Sequence, residues 1–144
     1  MSMNRAWLFI GLGALVVIAA FALYSYLALE RMPPPRIEVL PSSYDFGVIP
    51  YRAVEKSFTV RNAGGSPLKI MGISTSCGCT RAELEREELL PGEETELLVT
   101  FDPNLMEEHL TGRIYRVVYI KSNDPERPEV EIELWATLEE GDEG

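Results

Sequence analysis

Cys77 and Cys79 stand one residue apart in Ser76-Cys77-Gly78-Cys79-Thr80, and they are the chain's two cysteines. Closing so short a loop removes little chain entropy, so an ordinary structural staple explains the pair poorly. Gly78 gives the intervening backbone the freedom a tight loop needs. In an extended stretch, side chains two apart share one face. Three chemistries fit. The cysteines are small buried hydrophobes, or they form a strained, readily reduced disulfide in an oxidising compartment, or they bind a soft ion such as Cu(I) as a thiolate pair. A structural zinc usually takes four ligands, and only His109 and acidic residues are on hand to complete the set, which argues against zinc.

His109 is the single histidine, and Met106 precedes it by three residues. Both residue types are copper-compatible and share a face on a helical turn. One histidine cannot supply a blue-copper centre of two His and one Cys, and a solvated loop is the simpler reading of the segment. The runs Glu83-Glu85-Glu87-Glu88 and Glu93-Glu94-Glu96 resemble paired carboxylates for acid–base work. No nucleophile, oxyanion donor or Gly-rich phosphate loop accompanies them, so they read as a solubilising face and the chain as non-enzymatic. No cofactor other than Cu(I) is indicated.

The elements that hold these residues begin with an apolar N-terminus. From Ala6 to Leu29 no residue is charged, a length that crosses a hydrocarbon layer of about 30 Å with modest tilt. Trp7 lies at one end and Tyr24 and Tyr26 at the other, where aromatic rings favour the headgroup region. A cleaved signal has an apolar region of only about 7–15 residues. Ala20-Phe21-Ala22 loosely resembles a cleavage site, but the apolar run continues past it. The expected organisation is a short tail over 1–5, a transmembrane helix over 6–29, a Pro-rich linker over 30–36, one domain over 37–138 and an acidic disordered tail over 139–144. Pro33-Pro34-Pro35 favours a semi-rigid extended stand-off.

Arg5 on one side and Arg31 and Arg36 on the other leave the positive-inside count nearly neutral. From Arg36 onward, 11 Lys/Arg face 22 Asp/Glu. So acidic a domain suits neither an anionic cytoplasmic leaflet nor nucleic acid. The expectation is a single-pass cell-membrane protein with its C-terminal domain outside the cytoplasm and no nucleic-acid partner.

The remaining residues have period two. Ser57–Arg61, Leu68–Ile73, Thr95–Phe101 and Ile114–Ile120 are strand-like, and Asn62–Pro67, Pro91-Gly92 and Ser122–Pro125 are turns. Ile114–Ile120 is apolar on both faces except for Arg116, as a central strand is. Glu129–Ala136 alternates, with Val130, Ile132, Leu134 and Ala136 inward and Trp135 outward with the glutamates. Arg81–Leu90 fits either a short helix or a strand and turn. The whole predicts an all-β, immunoglobulin-like antiparallel sandwich of about seven strands, with Phe46, Phe58 and Phe101 in its core. Asn62, Gly64 and Gly92 are read as turn residues that tolerate positive φ.

The order Asp45-Phe46-Gly47, Phe58–Gly64, Pro67–Ile70, Ser76–Thr80, Pro91-Gly92, Phe101-Asp102-Pro103 and Ser122–Pro125 resembles the bacterial family called domain of unknown function 1573. That family is similar to the hydin and PapD-like branch of immunoglobulin-like sandwiches. The resemblance covers about Ile37 to Thr137 and implies an extracytoplasmic β-sandwich, often behind an anchor or signal, with no established activity. The function expected is interaction with an envelope or membrane protein, with Trp135 the aromatic to suspect at the contact. The alternative is a thiol-redox or Cu(I)-handling accessory built on Cys77 and Cys79.

Overall fold

Glu129–Leu138 folds as its alternation demands. Ile132, Leu134, Ala136 and Leu138 are buried, while Glu131 and Glu133 are exposed. The structure, a computed structural model, describes residues 3–29 and 32–139. It divides into two units, Met1–Pro33 and Pro34–Gly144.

The first unit is helix α1, Met3–Leu29, which takes in Met3, Asn4 and Arg5 as well as the uncharged run. Its segment Phe9–Ala28 has a mean hydropathy of 2.1 over 20 residues and buries none of them, so it is long and apolar enough to cross a membrane. Its large side chains, from Phe9 to Tyr26, are exposed on every face, unlike the one-sided stripe of a helix packed on a core.

Among its described residues the second unit has nine strands: β1 (Ile37–Leu40), β2 (Ser43–Ile49), β3 (Val54–Asn62), β4 (Leu68–Thr75), β5 (Thr80–Leu84), β6 (Glu88–Leu89), β7 (Glu94–Phe101), β8 (Gly112–Ser122) and β9 (Glu129–Leu138). One sheet runs β1-β3-β7-β5 and the other β2-β9-β8-β4-β6. The sandwich is immunoglobulin-like, with a few corrections to the detail. Nine strands replace about seven, because β2 carries a polar, glycine-interrupted sequence and β6 is only two residues long. Arg81–Leu90 supplies β5, a turn and β6 rather than a helix. All pairings are antiparallel except β2 with β9, which is parallel and shifts register between Asp45 and Val48. Gly47, at φ 71°, sits in that irregularity, where a side chain would be strained.

Most of the core lies between the sheets around Phe58, Leu68, Leu97, Val118, Ile120 and Ile132. A smaller cluster holds Ile49, Cys79, Phe101, Ile114, Ala136 and Leu138, with Cys77 and Met106 at its margin. Phe46 is half-buried and packs against both. β8 is central, as its apolar sequence requires.

Asn62 and Gly64 act differently from turn residues with positive φ. Asn62 is fully buried, and its Nδ2 donates to Ser66 O at 2.9 Å and Leu89 O at 3.0 Å. Its Oδ1 accepts from Gly64 N at 2.9 Å, so a buried amide, not a left-handed backbone, organises the turn. Gly64 is required by close approach, because a Cβ there would overlap Pro34 O and Arg36 N. Gly92, at φ 83°, does fill a left-handed position after Pro91.

The C-terminal part of the Pro-rich linker is not a free stand-off. Gly65 N donates to Pro34 O at 3.2 Å and Ala63 N to Arg36 O at 2.8 Å. Asp124 is buried and joins the turn between β8 and β9 to β1. Glu30, Arg31 and residues 140–144, which fall in the expected linker and acidic tail, lie outside the described residues.

Candidate functional site

The Ser76–Cys79 loop carries the chain from β4 in one sheet to β5 in the other. Its backbone is heavily tied. Ser76 N donates to Val117 O, and Val117 N to Ser76 Oγ, both at 2.9 Å. Thr75 Oγ1 is 2.9 Å from Cys77 O and 3.0 Å from Thr80 O. Asp102 N donates to Cys79 O at 2.9 Å. The loop therefore presents its sulfurs from a fixed frame.

Cys77 and Cys79 are bonded to each other, so the reading of two buried free thiols is replaced by a disulfide. The two sulfurs differ in setting. Cys79 is 2% exposed and belongs to the smaller core cluster, whereas Cys77 is half-buried and lies at its margin. Neither sulfur carries hydrogen in the disulfide, so the Thr80 hydroxyl is the donor toward them, 3.5 Å from Cys77 Sγ and 3.9 Å from Cys79 Sγ.

Arg116 is the residue that the sequence marks but does not explain. It shares the inward face of β8 with Ile114 and Val118. Its Nε donates to Cys79 Sγ at 3.4 Å, its Nη2 to Met106 Sδ at 3.4 Å, and its Nη1 to Tyr115 O at 2.7 Å. The one charge in the otherwise apolar run Ile114–Ile120 was the available signal, but its target lies 37 residues away.

Met106 follows a 3-10 turn, Pro103–Leu105, which Asp102 caps by accepting from Asn104 N at 3.0 Å. The segment after it is not a helical turn, so Met106 and His109 do not share a face. Met106 reaches Arg116, while His109 stacks on Tyr51 with ring centroids 3.8 Å apart. Tyr51 in turn donates from its hydroxyl to Leu110 O at 2.7 Å. Between this loop and the disulfide lies an open groove of about 390 Å³, lined among others by Cys77, Cys79, Leu105, Met106, Leu110 and Arg116.

Among the described residues no group of three or more His, Cys, Asp or Glu gathers as a metal cluster. For Cu(I), the reduced pair plus Met106 would offer three sulfurs. The Arg116 guanidinium, however, lies against both Cys79 and Met106, where a second cation would have to bridge them. Glu83, Glu85 and Glu96 line a shallow trough with Leu84 and Leu98 and hold no nucleophile among them.

Trp135 lies on the outer face of β9 with Glu131 and Glu133 and is half-buried there. It lies directly across from Tyr115 on β8, with ring centroids 4.5 Å apart. Arg113 stacks over the indole at 4.9 Å and pairs with Asp45 at 3.0 Å. Tyr115 is 3.4 Å from Glu133 Oε1, and its hydroxyl pKa is raised above 10.0, by burial first and then by the Glu133 charge.

The comparisons agree with this architecture. A protein of unknown function from Porphyromonas gingivalis W83 matches with a TM-score of 0.67 and 27% identity over 72% of this chain, which spans 47% of that protein's length. The PapD-like domain 7 of human CEP192 matches at 0.55 and 13% identity over 76% of this chain and 89% of its own. The periplasmic chaperone SfaE matches at 0.53 and 12% over 73% and 58%. The last two show the fold alone. No curated protein matches the sequence. The family model described as "Protein of unknown function (DUF1573)" matches residues 37–136, all nine strands but the end of β9. The chain belongs to that family.

Proposed function

We propose that the protein is a membrane-tethered module whose immunoglobulin-like domain stands outside the cytoplasm and docks on an envelope or membrane protein. The observation that carries this reading is the patch on the outer face of the five-stranded sheet, where Trp135 and Tyr115 meet and Arg113 covers the indole. Trp, Tyr and Arg dominate the energetics of protein interfaces. Pinned by neighbours, these side chains lose less freedom on binding than free ones do. Asp45 is paired with Arg113, while Glu131 and Glu133 on the same face of β9 favour a partner with complementary positive charge. The exposed, apolar segment Phe9–Ala28 of α1 supports the tether.

The test is purification of the full-length protein in mild detergent, alongside Trp135→Ala and Tyr115→Ala. A single membrane or envelope protein is expected to accompany the wild type and to be lost from both variants while their melting temperatures stay close to wild type. An undiminished partner in both variants would remove the patch from the interface.

A further inference from the structure

On the inward side of β8 the chemistry is different. Tyr115 and Arg116 are neighbours in sequence but face opposite sides of the sheet. The Arg116 side joins a disulfide between half-buried Cys77 and buried Cys79, a cation on the Cys79 sulfur, and a groove lined by both cysteines. We propose that Cys77–Cys79 is an exchangeable redox disulfide that accepts electrons from a dithiol on an apolar protein segment, with Cys77 the sulfur attacked and Cys79 the sulfur released.

Exchange requires a thiolate to approach one sulfur while the other departs. Cys77 is the less buried cysteine of the pair and lines the groove beside exposed Gly78, so it receives the attack. A partner thiolate bonds to Cys77 Sγ. The Cys77–Cys79 bond breaks, and its electron pair leaves on Cys79 Sγ. That sulfur already accepts from Arg116 Nε, so the new negative charge forms against a guanidinium, and a stabilised thiolate leaves faster. The partner's second thiolate then attacks its own sulfur in the mixed disulfide and releases Cys77. The partner ends as a disulfide. Cys77 and Cys79 end with two electrons and take up the two protons that the partner's thiols gave up.

The groove selects the class of partner. Leu105 and Leu110 are 50% and 37% exposed, and with Met106 they offer apolar surface beside the sulfurs. Glu107 and Glu108 line the same groove. An anionic small thiol such as glutathione is repelled there, whereas an extended apolar peptide segment covers the leucines. Unlike the docking reading, this site makes no use of Trp135, so either can fail alone.

The experiment uses the full-length protein in detergent and follows native-state alkylation by iodoacetamide as a mass gain for two thiols. Dithiothreitol is expected to reduce the folded protein. A synthetic peptide with two cysteines among apolar residues is expected to do so about tenfold faster than glutathione at equal thiol concentration. A disulfide reduced only after unfolding overturns the proposal, and glutathione matching the peptide overturns the assigned substrate class. At a pH where both thiols are ionised, Cys77 in Cys79→Ser is expected to react about tenfold faster with a thiol reagent than Cys79 in Cys77→Ser; the reverse order overturns the assignment of the attacked sulfur. Arg116→Gln in the Cys77→Ser background is expected to raise the pH at which Cys79 ionises, read by ultraviolet thiolate absorbance. An unmoved midpoint overturns the role of Arg116.

Discussion

Asp124 Oδ2 accepts the backbone N–H of Ile37 at 3.0 Å, 87 residues away in sequence, and so joins the turn between β8 and β9 to the first residue of β1. Arg127 Nη2 donates to the carbonyl of the same residue. Both polar backbone groups of Ile37 are thus held by one turn, whose shape Asp124 also fixes by accepting from Glu126 N at 2.8 Å and Arg127 N at 3.0 Å.

This arrangement makes stability fall in acid. Burial alone raises the Asp124 pKa, but the N–H donors of Ile37, Arg127 and Glu126, with the Arg127 charge, outweigh it and hold the carboxyl below 3.8. Its contribution is whole above 3.8 and is lost as pH falls through the lower folded value. Asp124→Ala is expected to cost about 3 kcal/mol at neutral pH by leaving buried donors unpaired. Asp124→Asn costs less and flattens the acid limb of the unfolding-temperature profile. A limb of unchanged steepness in Asp124→Asn would assign the acid sensitivity elsewhere.

The register of β9 is tested by two neighbours. Ile132→Asp places an unpaired charge in the core and is expected to cost about 4 kcal/mol, while Glu133→Asp stays within about 0.5 kcal/mol. Urea unfolding of both variants measures the contrast, and equal losses would contradict the register.

Gly64→Ala is expected to cost about 1–3 kcal/mol, because the atoms its Cβ meets are backbone and cannot rotate away. Hydrogen exchange should quicken at the amides of Ala63 and Gly65, which donate to Arg36 and Pro34. Unchanged exchange would mean that the linker does not move.

The tether is checked in intact cells. A membrane-impermeant amine label is expected to modify Lys56, Lys69 and Lys121, all in the second unit, before lysis. Labelling only after lysis would place the domain on the other side, and recovery of a soluble chain lacking α1 would identify a cleaved signal.

Local regularity explains what could be read in advance. β9 is legible because burial on alternate residues writes itself into the sequence, and α1 because a bilayer demands length without charge. The parallel pairing of β2 with β9 is not, since register depends on a partner about 90 residues distant. Asn62 has the composition of a turn, and only the fold shows its amide sealed inside. The sulfur site divides in the same way. The Cys-Gly-Cys spacing announced chemistry, but the convergence of Met106 and Arg116 is a contact between distant segments that no periodicity encodes.

The clamp on Ile37 also sets how the domain bears force. A pull transmitted along Pro34–Arg36 meets β1, a four-residue edge strand that would peel from β3 if it were alone. Asp124 and Arg127 bolt the pulled residue to the turn of the opposite sheet. A pull applied at Pro34–Arg36 is therefore divided between both layers of the sandwich at Ile37, so the short edge strand does not carry it alone.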